Sequence, residues 1–293
     1  MLSDIFLFHE NSRTDPWKYP QDRTSALIEK GAFAVADGIT RTVLAEKGLY
    51  PSEFQGGAVA EIFVNRFTEL SKDFTASEGG MNDLLHEVNK SVYEFNVSIG
   101  FDYDNLKSNY WLGECVGGGC IIRDRILYYG ILEDTYLNVL RGQKLEDQVK
   151  MKTQIMESYR YGRELANSTG REFEEIWAVE LRNNPEAKDD AGNRVGWGSF
   201  NGQKEASEFW QVGSIQLQDD DIILLVTDGA LGLFGNEPEL STAQEIVYRT
   251  GQNTGTKPQV NLSAEISNLI KSGKTSLESE KTIFRAKWSS TKA

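Results

Sequence analysis

The sequence predicts an α+β fold: two antiparallel β-sheets packed face to face with helices outside them, a four-layer αββα sandwich. Three observations lead there. Short apolar runs with strand-like spacing come in groups separated by tight turns. Amphipathic helical stretches are inserted in pairs between those groups and do not alternate one for one with strands, which argues against a doubly wound sheet or a barrel. The 293 residues, 39% hydrophobic and 11% aromatic, can bury one large core, and no internal repeat or linker divides them. One domain spanning residues 1–293 is expected.

Taken in order, Leu2 to Phe8 is rich in Ile, Leu and Phe and reads as a strand. Asn11 to Gln21, with Pro16 and Pro20, reads as a loop. Strands follow at Thr24 to Glu29 and Ala32 to Ala36, joined at Lys30-Gly31, and Asp37-Gly38 is expected to stop the second. After a loop containing Pro51 and Gly56-Gly57, the residues Val59, Ile62, Phe63, Phe67 and Leu70 recur at spacings of three and four, so they share one helical face. Asn82 to Val97 predicts a second helix, with Leu84, Leu85, Val88, Val92 and Phe95 on its apolar side. Trp111 to Ile122, Arg125 to Ile131 and Thr135 to Leu140 then read as an antiparallel meander. The run Gly117-Gly118-Gly119 inside it suggests a bulge or the close approach of another segment.

Gly142 to Leu181 is helical in composition, with breaks expected at Gly162 and at Ser168-Thr169-Gly170. Asn183 to Gly202 is polar and rich in Gly and Asn, and is expected to be a flap. Phe209 to Leu217 and Ile222 to Thr227 are strands, the second the strongest such signal in the chain. Helices are expected around Thr242 to Arg249 and Leu262 to Ile270, and a last strand over Thr282 to Trp288.

Charge and cysteine usage narrow the function. Asp and Glu number 44 against 31 Lys and Arg, a formal net charge of −13, and no basic block interrupts it, so a nucleic-acid partner is not expected. Asp4 stands where a signal peptide needs basic residues, and the apolar runs are too short to span a membrane. Cys115 and Cys120 could pair, but an acidic chain with two thiols reads more simply as a reduced, cytoplasmic protein. Export by a route without a cleaved signal is the alternative.

The residues that suggest chemistry are acidic and sit at strand ends. Val35-Ala36-Asp37-Gly38 and Val226-Thr227-Asp228-Gly229 are near copies of one another. An Asp-Gly after a strand is ordinarily a turn in which the Asp bonds its own backbone. Two copies point further, because hard divalent cations take several oxygens from rigid elements, with a glycine letting a backbone carbonyl approach. Asp22 and Asp134 are further candidates. His9, at the end of the first strand, reads as a packing or local hydrogen-bonding residue with a place near bound metal as the alternative. His86 reads as part of an amphipathic helix, and the two cysteines, with no His or Cys cluster nearby, do not read as a zinc site.

These motifs, in this order, resemble the metal-dependent serine/threonine protein phosphatases of type 2C, including their bacterial branch. Gln21-Asp22-Arg23 is similar to that family's first acidic motif, Phe33 to Gly38 to its Asp-Gly motif, and Gly117 to Gly119 to its glycine-containing element. Glu133-Asp134-Thr135 resembles its Gly-Asp-Ser-Arg, Asp220 to Gly229 its strand ending in Thr-Asp-Gly, and Thr282 onward its last strand. The resemblance implies two Mg²⁺ or Mn²⁺ ions bridged by Asp37, with the Gly38 carbonyl, Asp22, Asp134, Asp228 and Glu280 contributing, and Arg13 binding phosphate in competition with Lys18. It implies a phosphorylated protein or peptide as substrate and a metal-activated water as nucleophile. The chain departs from the family pattern at Ile39-Thr40-Arg41, where eukaryotic members have His-Gly-Gly, and at Tyr136, where the motif has arginine. It departs again at Ser279, where the last metal aspartate falls, leaving Glu280 or Glu278 to replace it. These departures keep open a second reading, a phosphatase-like binding or regulatory protein.

Overall fold

The computed structural model describes residues 1–10, 21–39, 56–105, 112–141, 144–149, 154–231 and 281–290. Ten strands form two five-stranded sheets. In the first, β1 (Leu2–Glu10) pairs with β10 (Lys281–Trp288), followed by β9 (Ile222–Thr227), β6 (Thr135–Arg141) and β7 (Lys144–Val149). In the second the order is β2 (Arg23–Leu27), β3 (Ala32–Gly38), β4 (Cys115–Arg123), β5 (Ile126–Leu132) and β8 (Gln211–Gln216). Neighbouring strands in both sheets run antiparallel. The expected α+β four-layer sandwich is the observed architecture.

Two apolar layers hold it together. Between the sheets lie Phe33, Val35, Cys120, Leu127, Ile131, Leu137, Val139, Ile223, Leu225 and Phe284, all fully buried. Outside the second sheet, α1 (Gly56–Leu70) and α2 (Glu78–Ser98) bury Val59, Phe63, Phe67, Met81, Leu85 and Val88 against Ala34, Ala36, Cys115 and Ile121. The alternation is the period of two acting on both faces of buried strands: Cys115 and Cys120 fall in different layers, as their odd separation requires. The glycine run serves the helix side, since a Cβ on Gly119 would lie 2.3 Å from the ring of Phe67. No described helix is long and apolar enough to cross a membrane.

Several expectations are corrected. The three-strand meander is two hairpinned strands and a departure. β4 and β5 join through Asp124 and Arg125, both left-handed (φ 47° and 69°), the primed turn that matches strand twist, but β6 belongs to the other sheet. Strand β3 does not stop before Asp37-Gly38 but includes both, paired with Val116 and Cys115. The helix read from Asn82 begins at Glu78, where Ser77 Oγ accepts the Gly80 N–H at 2.9 Å and supplies the cap. The region read as helical from Gly142 opens instead with β7, and α3 (Ile155–Thr169) runs through Gly162 and ends at left-handed Gly170 (φ 69°). The short α4 (Phe173–Glu175) continues into a π-helical turn, Ile176–Leu181. The helices expected around Thr242 to Arg249 and Leu262 to Ile270 lie outside the described residues.

Phe33 and Phe284 meet across the two sheets with ring centroids 3.9 Å apart and planes 11° from parallel. Phe284→Ala is expected to lower unfolding stability by about 3–5 kcal/mol, measured by denaturant titration. A loss under about 1 kcal/mol would show that the sheets do not depend on this contact.

Candidate active site

The two sheets bring one set of strand ends to a common rim. Register fixes which ends these are: His9 of β1 pairs with Thr282 of β10, Val226 of β9 with Ile283, Thr135 of β6 with Thr227, and Arg23 of β2 with Ala36 of β3. Asp22, Asp37, Asp134 and Asp228 therefore stand before β2, at the end of β3, before β6 and after β9, all at this rim. Asp228 opens the short helix α5 (Asp228–Leu231) and is exposed, Asp37 and Asp134 are half-buried, and Asp22 is fully buried.

Asp22 joins the sheets at the rim. Its Oδ2 accepts hydrogen bonds from the Thr227 hydroxyl at 2.7 Å and the Thr282 hydroxyl at 2.9 Å, both on the opposite sheet. Thr227 Oγ1 in turn accepts the Thr282 backbone N–H at 3.1 Å, and His9 Nδ1 lies 3.2 Å from Thr282 Oγ1. Thr227, Thr282 and His9 thus form a polar chain around Asp22. Motif reading missed the two threonines because their role depends on facing a residue more than two hundred positions away. The available signal was a hydroxyl residue at each strand end beside the acids.

The acids act on one another electrostatically. The Asp37 carboxyl is raised well above the usual range, first by burial and then by the charges of Asp22, Asp228 and Asp134. Asp134 is raised likewise, by burial and then by Asp228, Glu133 and Asp22. The Tyr136 hydroxyl is also pushed up, by burial and then by Asp134, Asp228 and Glu133, so this tyrosine borders the same group. Among the described residues, no three His, Cys, Asp or Glu side chains are gathered into a group that could hold a metal ion. The four aspartates are electrostatic neighbours and not a closed coordination shell. Asp134 Oδ1 is nonetheless buried with no hydrogen-bond partner, and hard carboxylate oxygens that repel one another suit a hard divalent cation. Arg13 and Glu280, with Lys18, Glu278 and Ser279, lie outside the described residues.

Gly38 has a packing role of its own. The N-terminus of α1 crosses it so closely that a Cβ on Gly38 would lie 2.1 Å from the Gly56 carbonyl carbon. The following residue, Ile39, donates its N–H to the Glu114 carbonyl at 3.0 Å and packs beside Ile176, Leu181, Val195 and Trp197. The 183–202 segment flanks the rim from here. Its ends are bound into the body: Asn183 Nδ2 donates to the Ser199 carbonyl and Asn201 Oδ1, each at 3.0 Å, and Phe200 exchanges backbone hydrogen bonds with Cys115. A buried ion pair, Arg182 Nη1 to Glu114 Oε1 at 3.0 Å, lies beneath it, with the Ser199 hydroxyl donating to Glu114 Oε2 at 2.8 Å.

No family model matches this sequence, and no curated protein matches it. Solved structures match its fold over nearly its whole length. PppA, a regulatory component of T6SS in Pseudomonas aeruginosa, is 14% identical at a TM-score of 0.55, with 97% of this chain and 96% of that one covered. The serine/threonine phosphatase PstP/Ppp of Mycobacterium tuberculosis is 12% identical at 0.57, with 98% and 99% covered. The S. agalactiae serine/threonine phosphatase is 12% identical at 0.58, with 97% and 99% covered. The chain therefore has the fold of the PPM, or type 2C, serine/threonine phosphatases. At these identities the likeness is one of architecture.

The threonine chain gives a direct test. Thr227→Val removes a donor to buried Asp22 and the acceptor of the Thr282 N–H, and is expected to cost about 1–3 kcal/mol. Thr227→Ser keeps the hydroxyl and should recover most of that. Chemical denaturation of both variants checks it; a Val variant as stable as the wild type would show that Thr227 does not support Asp22.

Proposed function

We propose that this chain is a metal-dependent phosphatase that hydrolyses phosphoserine or phosphothreonine in proteins or peptides. The observation that carries the reading is the convergence of Asp22, Asp37, Asp134 and Asp228 at one rim of a type 2C fold, where the charges of Asp22 and Asp228 help to raise the carboxyls of Asp37 and Asp134. Asp37, with the Gly38 carbonyl, Asp22, Asp134 and Asp228, would hold Mg²⁺ or Mn²⁺; a protein of the same fold, the phosphatase PstP, is described in complex with 2 manganese ions. Divalent ions, if held there, would supply an acidified water and offset the charge that develops on the phosphoryl oxygens. The protein's own part is to hold the carboxylates on rigid strand ends, to fix Asp22 by two threonine hydroxyls, and to border the site with Tyr136 and the 183–202 flap. Arg13 is assigned to the substrate phosphate and Glu280 to the metal by family resemblance. The whole chain acts as one catalytic unit in the cytoplasm, where its two buried free thiols stay reduced.

A second reading, a phosphatase-like binding or regulatory protein, is favoured by the absence, among the described residues, of a side-chain group ready to hold a metal. One experiment separates the two. Initial rates on p-nitrophenyl phosphate and phosphothreonine peptides are measured across a Mn²⁺ titration, with EDTA as control, for wild type, Asp37→Asn and Asp228→Asn. Activity is expected in the wild type, falling by roughly 10²-fold or more in each folded variant, as removal of one charge-stabilising group does elsewhere. Mn²⁺ should also raise the melting temperature of the wild type more than that of Asp37→Asn, a readout that needs no turnover. No phosphate release at any Mn²⁺ concentration, with no thermal shift, would leave the binding-protein reading in place.

A further inference from the structure

The connection that carries Asp134 is unusual in its own right. β5 ends at Leu132 in one sheet and β6 begins at Thr135 in the other, so two residues, Glu133 and Asp134, make the crossing. Glu133 takes a left-handed conformation, φ 53°, which strains any residue with a Cβ. It is also 2% exposed, a burial that a carboxylate tolerates only when well bonded.

The bonding comes from outside the turn. Glu133 Oε1 accepts the Gly198 N–H at 2.8 Å. Its Oε2 accepts the Gln154 N–H at 2.9 Å and the Ile155 N–H at 3.2 Å. The last two are free donors at the start of α3, a helix of 15 residues whose own N-cap position offers no side-chain bond. Gly198 belongs to the 183–202 segment, and this segment is tied to α3 through Trp177 of the 176–181 turn. Trp197 stacks on the Trp177 ring at 4.3 Å and donates its indole N–H to the Trp177 carbonyl, and Trp177 meets Tyr159 of α3 edge-on. One carboxylate thus holds both ends of the 154–202 region against the turn next to Asp134.

We propose that Glu133 is a positioning residue, a clamp that docks the 154–202 region beside the acidic rim and so sets how a phosphorylated peptide, as opposed to a small phosphate ester, is received there. The effect on substrates rests on the phosphatase reading above; the clamp itself does not. Removing the side chain separates strain from function: Glu133→Gly relaxes the left-handed backbone yet loses all three hydrogen bonds. Glu133→Gln keeps the length but puts an amide N–H₂ where one carboxylate oxygen accepted, so it opposes at least one of the two segments.

The test is amide hydrogen exchange on the full-length variants, followed peptide by peptide. In both, peptides within 154–202 are expected to exchange about tenfold faster or more, while β3, β4 and β9 keep wild-type protection, because a local clamp opens only its own unit. KM for a phosphothreonine peptide should rise by a larger factor than KM for p-nitrophenyl phosphate. Unchanged exchange in 154–202 in both variants, or acceleration spread evenly over the core strands, would overturn the clamp. Should Glu133→Gly fail to fold, Glu133→Gln carries the same comparison. Local acceleration in a protein that releases no phosphate would support the clamp while refuting the phosphatase reading. Equal KM changes for peptide and small ester would overturn its role in receiving peptides.

Discussion

Four aspartates brought to one rim of a sandwich, where their charges act on one another, impose the constraint around which the rest of the structure is arranged. Burial and like charge both disfavour ionising Asp37 and Asp134, and both effects weaken if the strand ends separate. A chain left to relax would splay them into water. What prevents this is that each acid is attached to a strand whose other residues are committed to one of two apolar layers. Val35 and Ala36 precede Asp37, and Leu224 to Thr227 precede Asp228, all of them buried. Moving either acid outward would drag apolar side chains out of the core, at roughly 25 cal/mol for each Å² exposed.

The sheets still need a fastening at the rim itself, and Asp22 supplies it. A carboxylate buried on one sheet and bonded by two hydroxyls of the other is a specific joint: it fixes how far the sheets slide relative to each other. Gly38 and Gly56 permit the complementary approach of α1 from the helix side, where a side chain on either would meet backbone. The rim is thus positioned by contacts that are small in number but intolerant of displacement.

Beyond the rim, the 154–202 region is attached both by apolar packing, with Phe200 buried against Phe63, and by two buried carboxylates. Glu114, fully buried, receives Arg182 and Ser199, and Glu133 receives Gly198 and the start of α3. Buried ionic contacts of this kind add little net stability over an apolar equivalent, yet breaking one partner is costly, so they select one arrangement over its alternatives. Attaching a region by two buried carboxylates at the ends of neighbouring strands makes its placement specific without enlarging the core.

Much of this was legible in the sequence. Period-two runs of Val, Ile and Leu located nine of the ten strands, and the paired Val-Ala-Asp-Gly and Val-Thr-Asp-Gly motifs pointed to the rim, because spacing and residue type are local properties that one strand carries alone. The strand Lys144–Val149 was lost, since a polar segment takes strand form only by pairing with β6. That β6 leaves β5 for the other sheet was invisible too: the turn at Glu133-Asp134 looks the same in a meander and in a crossing, and only the pairing of β6 with β9 and β7 distinguishes them. The threonine bonds to Asp22 left only hydroxyl residues at strand ends as a signal, and the three amides on Glu133 left none. The sequence by itself determined which residues are apolar, acidic or helix-forming along the chain. Which strands share a sheet, and which acids therefore face one another, was decided by tertiary structure, because burial and strand pairing are satisfied only between segments far apart in the chain.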